Sequence, residues 1–245
     1  MTQRRHFEAG GDDYARYRPT YPPALVDWLA SIVPNTDRAL DVGCGTGQLS
    51  VLLAGQFGEV VATDASADQI GNATDHPRVT YRVEPAEEPL EAESSFALVA
   101  AGQAAHWFDL PVFFDAARRV AVSSGVVALV TYGVIEASGA PGELIDDLYW
   151  RVLKGCWPPE RAHVEQGYRQ IDFPFAEIEM PGMWIERSWT AADFLGYAMT
   201  WSGVKELTRR GRRVEFESFA DDLRSLVGDA AIDVRFPVLG RIGRL

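Results

Sequence analysis

The sequence predicts an α/β protein built on a mostly parallel sheet with helices on both faces. Three observations predict it. Short apolar runs suited to buried strands alternate with helical repeats from Ala39 to Tyr132. A glycine-rich turn, Gly43 to Gly47, joins the first of these strands to the helix after it. With 245 residues, 47% hydrophobic and 24% charged, the chain is long enough to bury one sizeable core. Alternation implies parallel pairing, because each intervening helix returns the chain to the same end of the sheet by a right-handed crossover.

The elements are predicted in order. Prolines open a helix over Pro22 to Val33 that places Leu25, Val26, Leu29, Ile32 and Val33 at helical spacing until Pro34 stops it. Ala39 to Val42 is a buried strand, and Gln48 to Phe57 a helix burying Leu49, Leu52 and Leu53. The pattern repeats as strand Val60 to Thr63, helix Ala67 to Ala73, strands Val79 to Val83 and Phe96 to Ala101, helix Pro111 to Val120 and strand Val126 to Tyr132. From Gly139 to Phe175 it weakens into a stretch rich in Trp, Tyr, Phe and Pro, expected to be a helical insertion covering the site. Strands Met183 to Trp189 and Ile232 to Phe236 follow, with helices Ala191 to Trp201 and Val214 to Val227 between them. In the last helix Phe216, Phe219, Leu223 and Leu226 make a core-facing stripe.

Charge and composition exclude several classes. A formal net charge of −12 opposes approach to nucleic-acid phosphates unless a local basic face offsets it. Arg209, Arg210, Arg212 and Arg213 are the one such cluster, expected to be a solvated loop between helices. No apolar leader and no window of roughly 20 uncharged apolar residues stands out, so a soluble, cytoplasmic chain is expected. Cys44 and Cys156 lie in unrelated contexts, and His6, His76 and His163 make no two-histidine spacing, so neither a disulfide framework nor a metal site is expected.

Chemistry concentrates in ALDVGCGTGQLS, Ala39 to Ser50. Gly43, Gly45 and Gly47 permit positive φ and remove side chains where a backbone must approach a ligand closely. Asp41 falls late in its strand, near the carboxyl edge where open α/β sheets bind ligands, suited to orienting the turn or meeting an ammonium group. The spacing is G-x-G-x-G, with Gln48 where a dinucleotide motif carries its third glycine, and no Lys-Ser or Lys-Thr follows to make a P-loop. VVATDAS ends the second strand at Asp64, about 20 positions beyond Gly43, the spacing of an acidic residue that accepts ribose hydroxyls.

These segments resemble motifs I and II of the class I S-adenosylmethionine-dependent methyltransferases. The resemblance continues through YRVEPAEEPL, where Ala86 and Glu87 match the position flanking adenine, and LVAAGQAAHWFD. YARYRPTYP, TWSG and FPVLGRIGR are similar to the trans-aconitate methyltransferase-like branch. It implies a Rossmann-like seven-stranded sheet with an antiparallel last strand, in one domain. Residues 1–36 make an amino-terminal lid and helix, 37–135 the cofactor core, 136–180 the insertion and 181–245 the closing strands and helices. It further implies S-adenosylmethionine as cofactor, held by Tyr14, Arg18, Asp41, Gly43, Cys44, Gly45, Gly47, Asp64, Ala65, Ala86, Glu87, Gly102 and Gln103.

Gln103, His106, Trp107 and Trp157 are the acceptor-side candidates, with His106 the candidate general base. A carboxylate or an already nucleophilic amine would need alignment alone. No DPPY-like sequence follows the fourth strand, which with the acidic charge favours a small-molecule acceptor, such as a carboxylic acid or other small metabolite, over nucleic acid. Tyr14, Tyr17, Arg18 and Tyr21 either close over the cofactor or staple the chain's start to the core. The expected assembly is a monomer or homodimer without membrane partners. A dinucleotide-dependent oxidoreductase and a non-catalytic cofactor-binding protein remain as alternatives.

Overall fold

The computed structural model describes residues 19–88 and 93–245. They fall into two compact units, one formed by Thr20–Val134, Glu160–Ile185 and Pro237–Leu245, the other including Ile135–Pro159 and Glu186–Phe236. The residues expected to form one insertion, 136–180, are therefore shared between the units.

The first unit carries the parallel strands of the sheet. Helix α1 (Pro23–Ile32) starts with proline in its first turn and buries Leu25, Val26 and Leu29, as the apolar spacing requires. Strand β1 (Arg38–Val42), helix α2 (Gln48–Leu53), strand β2 (Glu59–Asp64), helix α3 (Ala67–Gly71) and strand β3 (Val79–Val83) follow. Then come β4 (Phe96–Gly102), a single 3-10 turn at Ala105–Trp107, helix α4 (Leu110–Val120) and β5 (Ala121–Tyr132). All four pairings among β1 to β5 are parallel. The strand order is β3-β2-β1-β4-β5, continued by β9 (Ile232–Arg244), which runs antiparallel to β5 with Val126 opposite Arg244.

Order reverses between β1 and β4. Chains leaving these two strands turn away on opposite sides, which opens a crevice at their carboxyl ends. Beneath it Leu40, Val42, Val61, Val99, Phe113, Phe114, Val127 and Leu129 pack into one buried cluster with Tyr168 and Phe173.

Among the described residues the sheet has nine strands rather than seven, because β6 (Glu136–Ala137), β7 (Ala176–Glu177) and β8 (Met183–Trp189) also pair with β9. Strand β9 runs on past the predicted Phe236 to Arg244, through Pro237 and two glycines that break its alternation. A Cβ on Gly240 would sit 2.4 Å from the Leu129 carbonyl, so close packing on β5 demands the residue that hides the strand from pattern reading. Helix α6 (Arg161–Glu165) completes this unit's helices.

In the second unit, α5 (Gly139–Asp146) runs into a wider π turn at Asp147–Val152, and α7 (Ala191–Met199), α8 (Ser202–Arg209) and α9 (Arg213–Val227) follow β8. The helix predicted over Ala191 to Trp201 stops at Met199, since Trp201 is extended and starts α8. Tyr149, Trp157, Phe194, Tyr197 and Trp201 form a cluster of mutually tilted and edge-on rings. On α9, Phe216, Phe219, Ala220 and Leu223 face inward while Leu226 is exposed. The stripe continues at half-buried Val227 instead, four residues beyond Leu223 and on the same face. Among the described residues no helix is long and apolar enough to cross a membrane.

Candidate active site

The turn after β1 is built from three left-handed glycines, with φ of 68° at Gly43, 57° at Gly45 and 87° at Gly47. They do different work. A Cβ on Gly43 would lie 2.6 Å from Cβ of Ala104, and one on Gly47 would lie 2.1 Å from the Tyr81 hydroxyl. A Cβ on Gly45 would make only an ordinary contact, with Gln69 Oε1 at 3.7 Å. Gly43 and Gly47 are thus glycine for packing as well as backbone, and Gly45 for its backbone alone. The Gly43 contact also brings the turn against the segment after β4, across the crevice.

Two carboxylates frame the turn. Asp64, at the end of β2, accepts the Gly45 N–H on Oδ2 and the Ser66 N–H on Oδ1, each at 2.9 Å. The cap of α3 is Ser66, whose hydroxyl accepts the Gln69 N–H, so Asp64 braces the glycine turn and is not the cap itself. It is half-exposed, and each oxygen keeps a lone pair for a further donor. The Cys44 N–H donates to the Thr63 carbonyl at 2.9 Å, pinning the turn to β2.

Asp41 is fully buried. Its Oδ2 accepts the Ser50 hydroxyl at 2.6 Å, and Oδ1 makes no hydrogen bond. Burial, reinforced by the negative charge of Asp64, pushes its carboxyl up to about 7. Cys44 is buried beside both carboxylates and its thiol is pushed far up, first by burial and then by their charges. A thiol held protonated in this way is no nucleophile.

On the other side of the crevice, Gly102 and Gln103 end β4. Gln103 has a φ of 57°, an uncommon conformation for a side-chain-bearing residue. Its Nε2 donates to the Tyr132 carbonyl at 3.3 Å and its Oε1 accepts the Thr131 hydroxyl at 2.7 Å. His106 and Trp107 lie on the following 3-10 turn with rings 4.8 Å apart, and His106 Nδ1 is 3.2 Å from the Tyr168 hydroxyl. Ala86 packs against the apolar cluster. Glu87 accepts the Asp109 N–H at 2.9 Å, tying the segment after β3 to the start of α4. Ala65 is exposed beyond β2.

Asp41, Gly43, Cys44, Gly45, Gly47 and Asp64 therefore meet in one turn, and Gly102, Gln103, His106 and Trp107 follow one another off β4. Tyr14, Tyr17 and Arg18 lie outside the described residues. Tyr21 is no lid: it is buried, with its hydroxyl on the Val130 carbonyl at 3.3 Å and its ring edge-on to Tyr132. Trp157 belongs to the second unit, where its ring packs 4.6 Å from Tyr149. Four residues escaped sequence reasoning. Ser50 was legible, standing inside the glycine motif itself, whereas Thr131, Tyr81 and Tyr168 reach the site from distant strands and loops with no motif to mark them.

Residues 40–129 match the family model described as a methyltransferase domain. A solved chain from Anaeromyxobacter dehalogenans, provisionally assigned as a type II methyltransferase, is 43% identical with a TM-score of 0.88, covering 93% of this chain and 98% of that one. A Dictyostelium discoideum protein, provisionally assigned as a methyltransferase, is 30% identical over 234 residues, covering 92% of this chain and 89% of its own length. A Saccharomyces cerevisiae protein, provisionally assigned as an S-adenosylmethionine-dependent methyltransferase, is 28% identical over 137 residues, 52% of this chain and 46% of its own. This chain belongs to the class I S-adenosylmethionine-dependent methyltransferase family.

Proposed function

We propose that this chain binds S-adenosylmethionine in the crevice at the carboxyl ends of β1, β2 and β4 and transfers the methyl group to a small-molecule acceptor. The observation that carries the reading is the turn of three left-handed glycines, braced by Asp64 and backed by a buried Asp41 oxygen that makes no hydrogen bond. The same cofactor stands in the description of the yeast relative. When bound, this cofactor supplies a methyl carbon made electrophilic by its positively charged sulfur.

The chain's own residues bind, orient and move a proton. Gly43 to Gly47 let the backbone approach closely, and Asp64 accepts the two ribose hydroxyls on its remaining lone pairs. Asp41 orients the turn through Ser50. Ala65, Ala86 and Glu87 flank the adenine, while Gly102 and Gln103 close the opposite wall. His106 takes a proton from an oxygen or nitrogen acceptor, and the face of Trp107 favours a nearby cation. Holding acceptor and methyl carbon in line supplies much of the rate.

Charge favours a small-molecule acceptor over nucleic acid. The one basic cluster is largely paired within the second unit: Arg209 and Arg210 share Glu206, Arg212 pairs with Glu215 and Arg213 with Glu217, four guanidiniums against three carboxylates. With a net charge of −12, this pairing disfavours approach to nucleic-acid phosphates. Calorimetric titration with S-adenosylmethionine tests the binding reading. Wild type is expected to bind one equivalent, and Asp64→Ala at least tenfold more weakly, as loss of two hydrogen bonds near 1 kcal/mol each implies. Absence of binding by wild type refutes it, and S-adenosylhomocysteine release across a panel of small acids, phenols and amines identifies the acceptor.

A further inference from the structure

We infer that Gln103 is a positioning residue: its side-chain amide, anchored on Thr131 and Tyr132, holds the chain leaving β4 in a left-handed turn and so sets the crevice wall that faces the glycines. This deepens the cofactor reading proposed above and rests on it, and it adds Thr131, 28 positions from Gln103 in the sequence, to the residues on which that site depends.

Strand β4 stays in register with β5 as far as Gly102, opposite Val130, and the Gln103 N–H still bonds the Val130 carbonyl at 2.9 Å. There the chain turns off the sheet, with Gln103 at φ 57°. Glycine takes this conformation freely, and asparagine, aspartate and histidine are enriched in it. Glutamine is neither, so a side chain kept here is strained and needs an offsetting interaction. What the turn delivers is placed with little tolerance: Cβ of Ala104, the next residue, would stand 2.6 Å from a Cβ on Gly43. His106 and Trp107 follow on the 3-10 turn that begins at Ala105.

The offsetting interaction is a clamp on β5. Gln103 Nε2 donates to the Tyr132 carbonyl at 3.3 Å, and Oε1 accepts the Thr131 hydroxyl at 2.7 Å. That hydroxyl also has the Tyr132 carbonyl within reach, at the longer distance of 3.4 Å, and the shorter contact is the stronger bond. Main chain and amide of one residue are thus bonded to three successive residues of β5, which resists rotation about the strained φ. Thr131 is completely buried, so a ligand in the crevice does not touch it, and its hydroxyl acts on the site through the Gln103 amide. Without the clamp the turn relaxes toward right-handed conformations. The fraction of chains with the wall in place then falls, and apparent affinity falls with it.

Calorimetric titration of the full-length protein with S-adenosylmethionine, run beside urea unfolding, tests the clamp. Thr131→Val keeps the side chain's shape and removes the hydroxyl, and is expected to bind about tenfold more weakly, as the loss of one hydrogen bond to a part-buried acceptor implies. Thr131→Ser keeps the hydroxyl and leaves a methyl-sized gap, so it should unfold at lower urea yet bind like wild type; binding then does not follow stability. Gln103→Ala loses the amide and remains strained, whereas Gln103→Gly loses it but turns left-handed freely. The glycine variant should therefore bind more tightly than the alanine one, and Thr131→Val should add nothing in either background. Unchanged affinity in Thr131→Val, weakened binding in Thr131→Ser, or a glycine variant that binds no better than the alanine one overturns the inference. Backbone chemical shifts of Gln103, read by NMR without cofactor, should report the left-handed turn in wild type and its loss in Thr131→Val. They keep the two readings apart, because a wild type that binds no S-adenosylmethionine refutes the proposed function while its shifts still show whether Thr131 holds the turn.

Discussion

Replacing Asp41 by asparagine tests whether a carboxyl buried under the glycine turn is held neutral by its surroundings. Asp41 is fully enclosed, has one hydrogen bond from Ser50, and titrates near 7 instead of an ordinary 3.8. A group whose folded value lies above its unfolded value binds its proton more tightly in the folded state, so stability falls as pH rises between the two values. At about 1.4 kcal/mol for each pH unit between them, the loss reaches about 4 kcal/mol once the folded carboxyl ionises. The asparagine side chain has the shape of the protonated acid and does not titrate. The stability of Asp41→Asn relative to wild type should therefore grow by about 3–4 kcal/mol between pH 4 and pH 8, or roughly 10 °C in melting temperature for a chain of this size. Urea and thermal unfolding of both proteins across that range measure it, and the difference between them cancels every other titrating group. Two curves that stay parallel from pH 4 to pH 8 would refute the assignment of a neutral, buried Asp41.

Other perturbations separate binding from packing. Gly45→Ala should fold with a loss of about 1–2 kcal/mol from its left-handed φ and bind S-adenosylmethionine at least tenfold more weakly, read by calorimetry. Gly43→Ala meets Ala104 as well, and overpacking raises its cost to about 2–4 kcal/mol in urea unfolding. Trp201→Ala empties the centre of the second unit's ring cluster and should cost about 3–5 kcal/mol, measured the same way. Arg209→Ala with Arg210→Ala breaks only exposed ion pairs with Glu206, so the melting temperature should not move, nor should cofactor binding.

Local chemistry made the glycine turn and its flanking carboxylates legible. A strand followed by three alternating glycines, then a second strand ending in an acid, is a pattern contained within neighbouring residues, because the turn's conformation is set by the residues that form it. The parallel core from Ala39 to Tyr132 was readable for the same reason: buried strands and amphipathic helices each write their period into a few consecutive positions. The last strand was half hidden, since Gly240 is dictated by its approach to Leu129 rather than by any strand preference of its own.

The surroundings of Gln103 and His106 were decided by the tertiary structure. Nothing local tells Tyr168 that it will meet His106, or Thr131 that its hydroxyl will fall on Gln103, because those contacts form only when β4, β5 and the exit of α6 are packed together. The charge state of Asp41 belongs with them. Its sequence neighbours are compatible with an ordinary carboxylate, and complete removal from water is what pushes its titration up to about 7.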